Sequence, residues 1–355
     1  MASPNESLPI PTQSAPGSSI TAISPTSPEP KTDASINSDS LQKATYTYVD
    51  PDGDLHLEVG DNEAARLFVV CSKSLARSSP FWKKLLYGKF AESIKPDHRD
   101  DKTEWVVRLP DDDPESMKML LNIVHGRFEF VPGYEAHVPT HDLYKLCVLL
   151  DKYDMTHVLR PWASGWSKTV YSAQSYLDSV YCEQLWISWV LGDKTNFEHT
   201  TRALVLNCAC TLTPETLQPP EIYERIEQTR LDMINKLLAP FHNTLQRLIE
   251  DNKSFCTYRS HNGCTRIMLG TAIQSPHTHG FWPIPQPQEV QVSIQTLADS
   301  LKKVKVEGES GTYSSCTQTS TLQAGVDKTL KSIPSFLTAN YRRHLSAQAE
   351  KSGLL

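Results

Sequence analysis

Two short runs of alternating apolar and polar residues, followed by a capped apolar helix, most constrain the fold of this chain. The runs are Leu55–Val59 and Ala65–Val70, with a polar turn at 60–63 between them. Alternation with a period of two is typical of half-buried strands, so the pair predicts a β-hairpin. The segment Ser79–Gly88 places Ser at an N-cap, Pro at the first helical position and Gly past the end, which predicts a helix. Its Phe81 and Trp82 are expected in the core.

The pattern after this helix predicts one further strand and then helices. Trp105–Leu109 alternates as a strand does, and Asp113-Pro114 is a capped helix start. A further helix is predicted from Thr140 to Tyr153, where apolar residues recur at helical spacing. Residues 54–168 are therefore predicted to form an α+β domain with a small sheet and flanking helices.

This order of elements, with Ser78-Ser79-Pro80-Phe81 after a short helix and a helix closed by Gly126 after the third strand, resembles the BTB/POZ domain. The whole chain resembles fungal BTB/POZ domain-containing proteins. The resemblance implies a BTB domain at 45–170 with a small mixed β-sheet flanked by helices. It also implies a non-enzymatic protein that acts by binding other proteins, with a cullin or a second BTB chain as partner.

The same resemblance implies a partner-binding motif. In BTB adaptors of ubiquitin ligases, a hydrophobic residue, any residue and then Glu insert into the cullin scaffold. Phe90-Ala91-Glu92 matches that spacing, so Phe90 and Glu92 are the implied partner-binding residues and the implied function is that of a substrate adaptor. The alternative is a helix end at which Phe90 packs into its own domain. A BTB scaffold or nuclear regulator without cullin binding is the corresponding alternative function.

The rest of the chain divides into three predicted segments. Residues 1–44 are rich in Pro and Ser and nearly lack large apolar side chains, so a disordered tail is predicted. Residues 171–255 carry apolar stripes at helical spacing and are predicted to be a helical extension, in which Pro240 should kink or break a long helix. Residues 256–355 are predicted to be a mostly α-helical C-terminal region that contains Cys and His residues.

The Cys and His residues of this last segment are the strongest chemical candidates in the chain. Cys256, His261, Cys264 and Cys316 have the ligand types of a structural zinc site, which takes four Cys or His ligands tetrahedrally. The resemblance implies Cys at these places, but the fourth ligand stays open among the nearby histidines, which are His261, His277 and His279. The alternatives are buried Cys and loop His residues without a metal, or a zinc-dependent hydrolase with an open coordination position.

Composition argues against several classes of protein. The net charge is −6 and no run of Lys or Arg is present, which disfavours direct binding of nucleic acid. No apolar run approaches the ~20 residues of a membrane helix, and the N-terminus lacks the pattern of a secretory signal. The eight cysteines are scattered rather than arranged as a disulfide scaffold. We therefore expect an intracellular protein, nuclear or cytoplasmic.

Familiar catalytic motifs are absent from the sequence, so an enzyme is not expected.

Overall fold

The two alternating runs pair as antiparallel neighbours in the computed structural model of the chain, as the hairpin prediction requires. The strands are β1 (Tyr46–Tyr48), β2 (Leu55–Val59), β3 (Arg66–Val70) and β4 (Val106–Leu109), in the sheet order β1-β3-β2-β4. β2 pairs antiparallel with β3 and parallel with β4, and β1 pairs parallel with β3. The sheet is therefore small and mixed.

One face of this sheet is buried because its apolar side chains alternate with polar ones. Leu55, Leu57 and Val59 are fully buried in β2, whereas the intervening His56 and Glu58 are only partly covered. A strand places successive side chains on opposite faces, so this burial pattern fixes the pairing register.

Helices make up most of the remaining structure. They are α1 (Ser72–Ser78), α2 (Pro80–Tyr87), α3 (Pro114–Val124), α4 (Thr140–Lys152), α5 (Ala163–Ser172), α6 (Asp178–Leu191), α7 (Lys194–Asn207), α8 (Ile222–Glu250), α9 (Asn262–Thr278), α10 (Ile294–Lys302), α11 (Thr319–Lys331) and α12 (Ala339–Ser352). Short 3-10 helices lie at Ala91–Ser93, Phe128–Phe130, Thr156–Leu159 and Pro287–Glu289. The predicted α+β class is confirmed.

The structure describes residues 46–61, 65–95, 104–172, 178–209, 216–250, 262–308 and 316–354. The predicted disordered tail at 1–44 lies outside the described residues, as do two of the predicted zinc ligands, Cys256 and His261.

The predicted helix starts are confirmed by their side-chain caps. The Ser79 hydroxyl accepts a hydrogen bond from the N–H of Trp82 at 3.1 Å, and the Asp113 carboxylate accepts one from the N–H of Ser116 at 2.9 Å.

Trp82 is fully buried, as expected, but Phe81 is 41% exposed. The core placement of Phe81 was therefore wrong, because α2 has only one side against the domain and successive residues of a helix point about 100° apart.

Pro240 does not break α8, contrary to one of the two outcomes predicted for it. The helix runs from Ile222 to Glu250 with this proline inside. Met233 and Leu237 before it, and Phe241 and Leu248 after it, are all buried. This burial on both sides of Pro240 stabilises the continuous helix against the lost backbone hydrogen bond.

The C-terminal helix returns to the sheet-bearing part of the chain. α6 packs against α4, α7 and α12, and α12 also contacts the 3-10 helix at Thr156–Leu159. α12 lies so close to the end of α6 that a Cβ on Gly192 would be 2.1 Å from the Ala349 nitrogen. Lys351 Nζ, near the end of α12, lies 2.7 Å from Asp154 Oδ1.

Ala44–Leu355 form one compact unit, and the predicted segment boundaries at 170 and 255 stay predictions.

A half-buried histidine joins the end of α3 to the start of α1. His125 Nε2 accepts the backbone N–H of Cys71 at 3.0 Å, and its Nδ1 lies 2.8 Å from the Leu121 carbonyl oxygen. This pair of contacts requires the neutral ring with the proton on Nδ1. Burial, as the main cause, lowers the pKa of His125 below its ordinary value of 6.5.

We predict that protonation of His125 lowers the free energy of unfolding of the protein in mild acid. Its pKa is lower in the folded than in the unfolded chain, so the unfolded chain binds the proton more readily and stability falls as pH drops below about 6.5. The free energy of unfolding, measured in urea at pH 7.5 and 5.5, should decrease more for the wild type than for His125→Gln. Equal decreases in the two proteins would contradict this role.

Candidate functional site

The last residue of α2 and the chain segment after it expose three large apolar side chains. Tyr87 is 44% exposed, Phe90 is 54% exposed and Ile94 is 74% exposed. We call this segment, residues 87–95, the Tyr87–Lys95 surface. Three large apolar side chains exposed within nine residues make this segment a candidate site of protein interaction.

The backbone of the Tyr87–Lys95 surface is fastened to the core. The Trp105 indole Nε1–H donates to the Glu92 carbonyl oxygen at 2.7 Å, and the Ser93 N–H donates to the Phe90 carbonyl oxygen at 3.1 Å. Trp105 itself is buried. The Lys95 ammonium lies 4.2 Å from the centre of the Trp105 ring, within the range of a cation–π interaction. These contacts attach the backbone of the segment to the core although its large apolar side chains are exposed.

A polar network ties both ends of the surface to the loop before β2. Asp54 accepts hydrogen bonds from the Ser72 N–H at 2.8 Å and the Ser72 hydroxyl at 2.7 Å. Lys95 Nζ lies 3.3 Å from Asp54 Oδ2, and the Tyr87 hydroxyl lies 2.6 Å from the Ser72 hydroxyl. Partial burial raises the pKa of Asp54, but the hydrogen bonds from Ser72 and Lys95 outweigh it and leave the pKa below its ordinary value. Asp54 is therefore a charged anchor at neutral pH.

The structure places Phe90 and Glu92, the two predicted partner-binding residues, on this surface. Phe90 is more than half exposed, so the alternative in which it packs into its own domain is wrong. Glu92 is partly buried, and among the described residues no Lys, Arg or His nitrogen lies within 4.0 Å of its carboxylate. The role of both residues in partner binding stays a prediction.

Sequence reasoning missed the two apolar neighbours of this motif, Tyr87 and Ile94. Tyr87 occupies the last turn of a helix whose buried residues are Trp82 and Leu86, and Ile94 follows a short 3-10 helix. The available signal was the position of Tyr87 next to Leu86, off the buried stripe of the helix. Ile94 carried no such signal, because its exposure depends on the path of the chain after α2.

Two of the four predicted zinc ligands lie against the same glycine. Cys264 in the first turn of α9 and Cys316 are both buried. A Cβ built on Gly308 would lie 2.5 Å from Cys264 Sγ and 3.1 Å from Cys316 Cβ. The backbone bond from the Gly308 N–H to the Cys316 carbonyl oxygen, 2.8 Å long, fixes this approach.

The described part of the chain does not by itself complete a metal site. Within it, no group of three or more His, Cys, Asp or Glu side chains is placed to hold a metal ion. His277 and His279 lie at and after the end of α9. Cys264 and Cys316 suit zinc in ligand type, and zinc binding stays a prediction.

Comparison with known proteins assigns no family to the chain. No protein-family model matches the chain, and no curated protein matches it. None of the helices in the described ranges combines the length and apolar character needed to cross a membrane.

We predict stoichiometric zinc in protein purified without chelators, measured by elemental analysis. Cys264→Ser and Cys316→Ser should each lower the zinc content, because each removes a thiolate ligand. Cys71→Ser changes the cysteine directly before α1, and this variant should keep its full zinc content. Protein free of zinc, or Cys264→Ser with a full complement, would contradict the hypothesis.

Proposed function

We propose that this chain is a non-enzymatic protein-interaction protein built on a BTB/POZ domain at residues 45–170. Its proposed role is that of a substrate adaptor for a cullin-type ubiquitin ligase. The observation that carries the proposal is the exposed Phe90, on a backbone that Trp105 fastens to the core.

The order of elements supports the domain assignment. The hairpin of β2 and β3, the helix pair α1 and α2, the strand β4 and the helices α3 and α4 follow each other in the order on which the resemblance rests. The capped start of α2 at Ser79 and the positive φ of 73° at Gly126, after α3, agree with the same pattern.

The proposed cullin contact combines an apolar anchor with a charge. Phe90 would bury its ring in the partner, since a large aromatic side chain that enters a pocket contributes strongly to affinity. Glu92 lies two residues further on, and its carboxylate would pair with a cation of the partner. The helices after α5 would lengthen this contact, which is the role proposed for residues 171–255.

A BTB scaffold or nuclear regulator that does not bind a cullin is the nearest alternative function, and it would use the same surface for another protein. The zinc-dependent hydrolase is the more distant alternative. A catalytic zinc keeps a coordination position open to substrate, whereas Cys264 is 1% and Cys316 is 3% exposed. This burial favours a structural role for any metal held there.

We predict that Phe90→Ala and Glu92→Lys each abolish pulldown of a cullin by the full-length protein. Both side chains reach solvent, so each change should alter the melting temperature by only about 2 °C. Phe130→Ala and Glu135→Lys are the matched controls, because both positions are exposed and lie elsewhere on the domain. The controls should retain full pulldown.

The outcome separates the two levels of the proposal. Pulldown that survives in both Phe90→Ala and Glu92→Lys would reject the cullin contact and leave only the interaction-protein assignment. Loss in the control variants as well would show that the assay reports general damage to the domain.

A further inference from the structure

A second surface, on the first two helices, adjoins the Tyr87–Lys95 surface at Tyr87 and differs from it in charge. A groove with a volume of about 710 Å³ lies along α1 and α2. The residues that give it its character are Lys73, Ala76, Arg77, Pro80, Lys83 and Tyr87. We call it the basic groove. Its volume falls within the range of sites that hold small ligands or a few side chains of a peptide.

The charge of the basic groove is positive and uncompensated within the described residues. Lys73, Arg77 and Lys83 are all exposed, and the described residues that line the groove include no Asp or Glu. None of the three has a described carboxylate within 4.0 Å. The guanidinium of Arg77 donates a long hydrogen bond, 3.4 Å, to the Ser74 hydroxyl. This local excess of positive charge is opposite in sign to the net charge of the whole chain, which is −6.

The groove combines these cations with apolar lining. Ala76 and Pro80 contribute aliphatic carbon, and Tyr87 contributes an exposed ring whose hydroxyl is already engaged by Ser72 at 2.6 Å. An occupant that satisfies both features carries carboxylates for the cations and an apolar side chain for the lining. Complementary charge of this kind favours encounter and suppresses wrong partners.

Two other occupants fit less well. A second copy of the chain, docked groove to groove about a two-fold axis, would bring the same three cations opposite each other. A nucleic acid extends beyond a groove of this size, so most of its phosphates would lie away from the three cations.

We propose that the basic groove binds an acidic peptide segment of a partner protein. Carboxylates of the segment pair with Lys73, Arg77 and Lys83, and an apolar side chain packs on Pro80 and Tyr87. The proposal does not depend on the cullin contact, because it concerns the cations of α1 and α2 rather than Phe90 and Glu92.

The test measures binding of a fluorescein-labelled peptide, in which one Phe is flanked on each side by three Glu or Asp residues, to the full-length protein by fluorescence anisotropy. The double variant Arg77→Glu, Lys83→Glu should bind at least tenfold more weakly, because it replaces two attractions with repulsions. The control Lys236→Glu, Arg342→Glu makes the same change in net charge at exposed positions outside the groove, and its affinity should stay within twofold of the wild type. The amide version of the peptide, with Gln and Asn, should bind at least tenfold more weakly.

Cys71 provides a second readout that needs no substitution. It also lines the groove and is partly exposed. The acidic peptide should slow alkylation of Cys71 by iodoacetamide, as followed by mass spectrometry, and the amide peptide should not. Affinity lost equally in the groove and control variants, or alkylation of Cys71 unaffected by saturating acidic peptide, would overturn the proposal.

A further comparison distinguishes a peptide from other anions. Oligothymidylate that binds as tightly as the acidic peptide, and loses affinity in the same groove variant, would overturn the assignment to a peptide. Oligothymidylate that binds at least tenfold more weakly supports it. Cullin pulldown by Arg77→Glu, Lys83→Glu should be retained, so a failure of either proposal can be recognised separately.

Discussion

The contact between Trp82 and Tyr153 is the interaction on which the arrangement of both candidate surfaces depends. The two rings stack with centroids 4.8 Å apart, and both side chains are fully buried. The Ser79 hydroxyl, which also caps α2, donates to the Tyr153 carbonyl oxygen at 2.6 Å. The start of α2 is thereby joined to the end of α4 by one stack and one hydrogen bond. Buried aromatic contacts of this kind dominate the energetics of small cores.

A buried carboxylate completes this junction. The Tyr153 hydroxyl donates to Asp112, and Lys152 Nζ lies 2.6 Å from the other oxygen of the same carboxylate. Burial, and then the bond to Asp112, raise the pKa of Tyr153 far above its ordinary value, so the hydroxyl remains a donor. The turn before α3, the end of α4 and the start of α2 are fixed together. With α2 fixed in this way, Tyr87 at its end and Phe90 just beyond it can be exposed while the helix keeps its position.

The features that could be predicted from the sequence are those set by neighbouring residues. Alternation in Leu55–Val59 predicts both the strand and its buried face, and the caps at Ser79 and Asp113 predict where helices begin. Each of these signals works through hydrogen bonds or periodicity within a few residues. The exposed position of Phe90 was one of two outcomes left open by the sequence, because its three-residue motif does not encode the path of the chain.

The features that could not be predicted depend on distant parts of the chain. The parallel pairing of β1 with β3 requires Tyr46–Tyr48 to return alongside a strand twenty residues later, and α8 continues through Pro240 because of burial against other helices. The basic groove was also missed, since its cations come from two helices separated by Ser79. Lys73 and Arg77, four residues apart in α1, were the only local signal.

Cross-linking of the full-length protein to its partners in cell extract, with a lysine-reactive reagent and mass spectrometry, tests the central claim most directly. The claim is that partners bind on the helix pair and the segment after it. Cross-links to partner proteins should concentrate on Lys73, Lys83, Lys84, Lys89 and Lys95. Partner cross-links confined to the C-terminal lysines, such as Lys302, Lys303, Lys328 and Lys331, would contradict it.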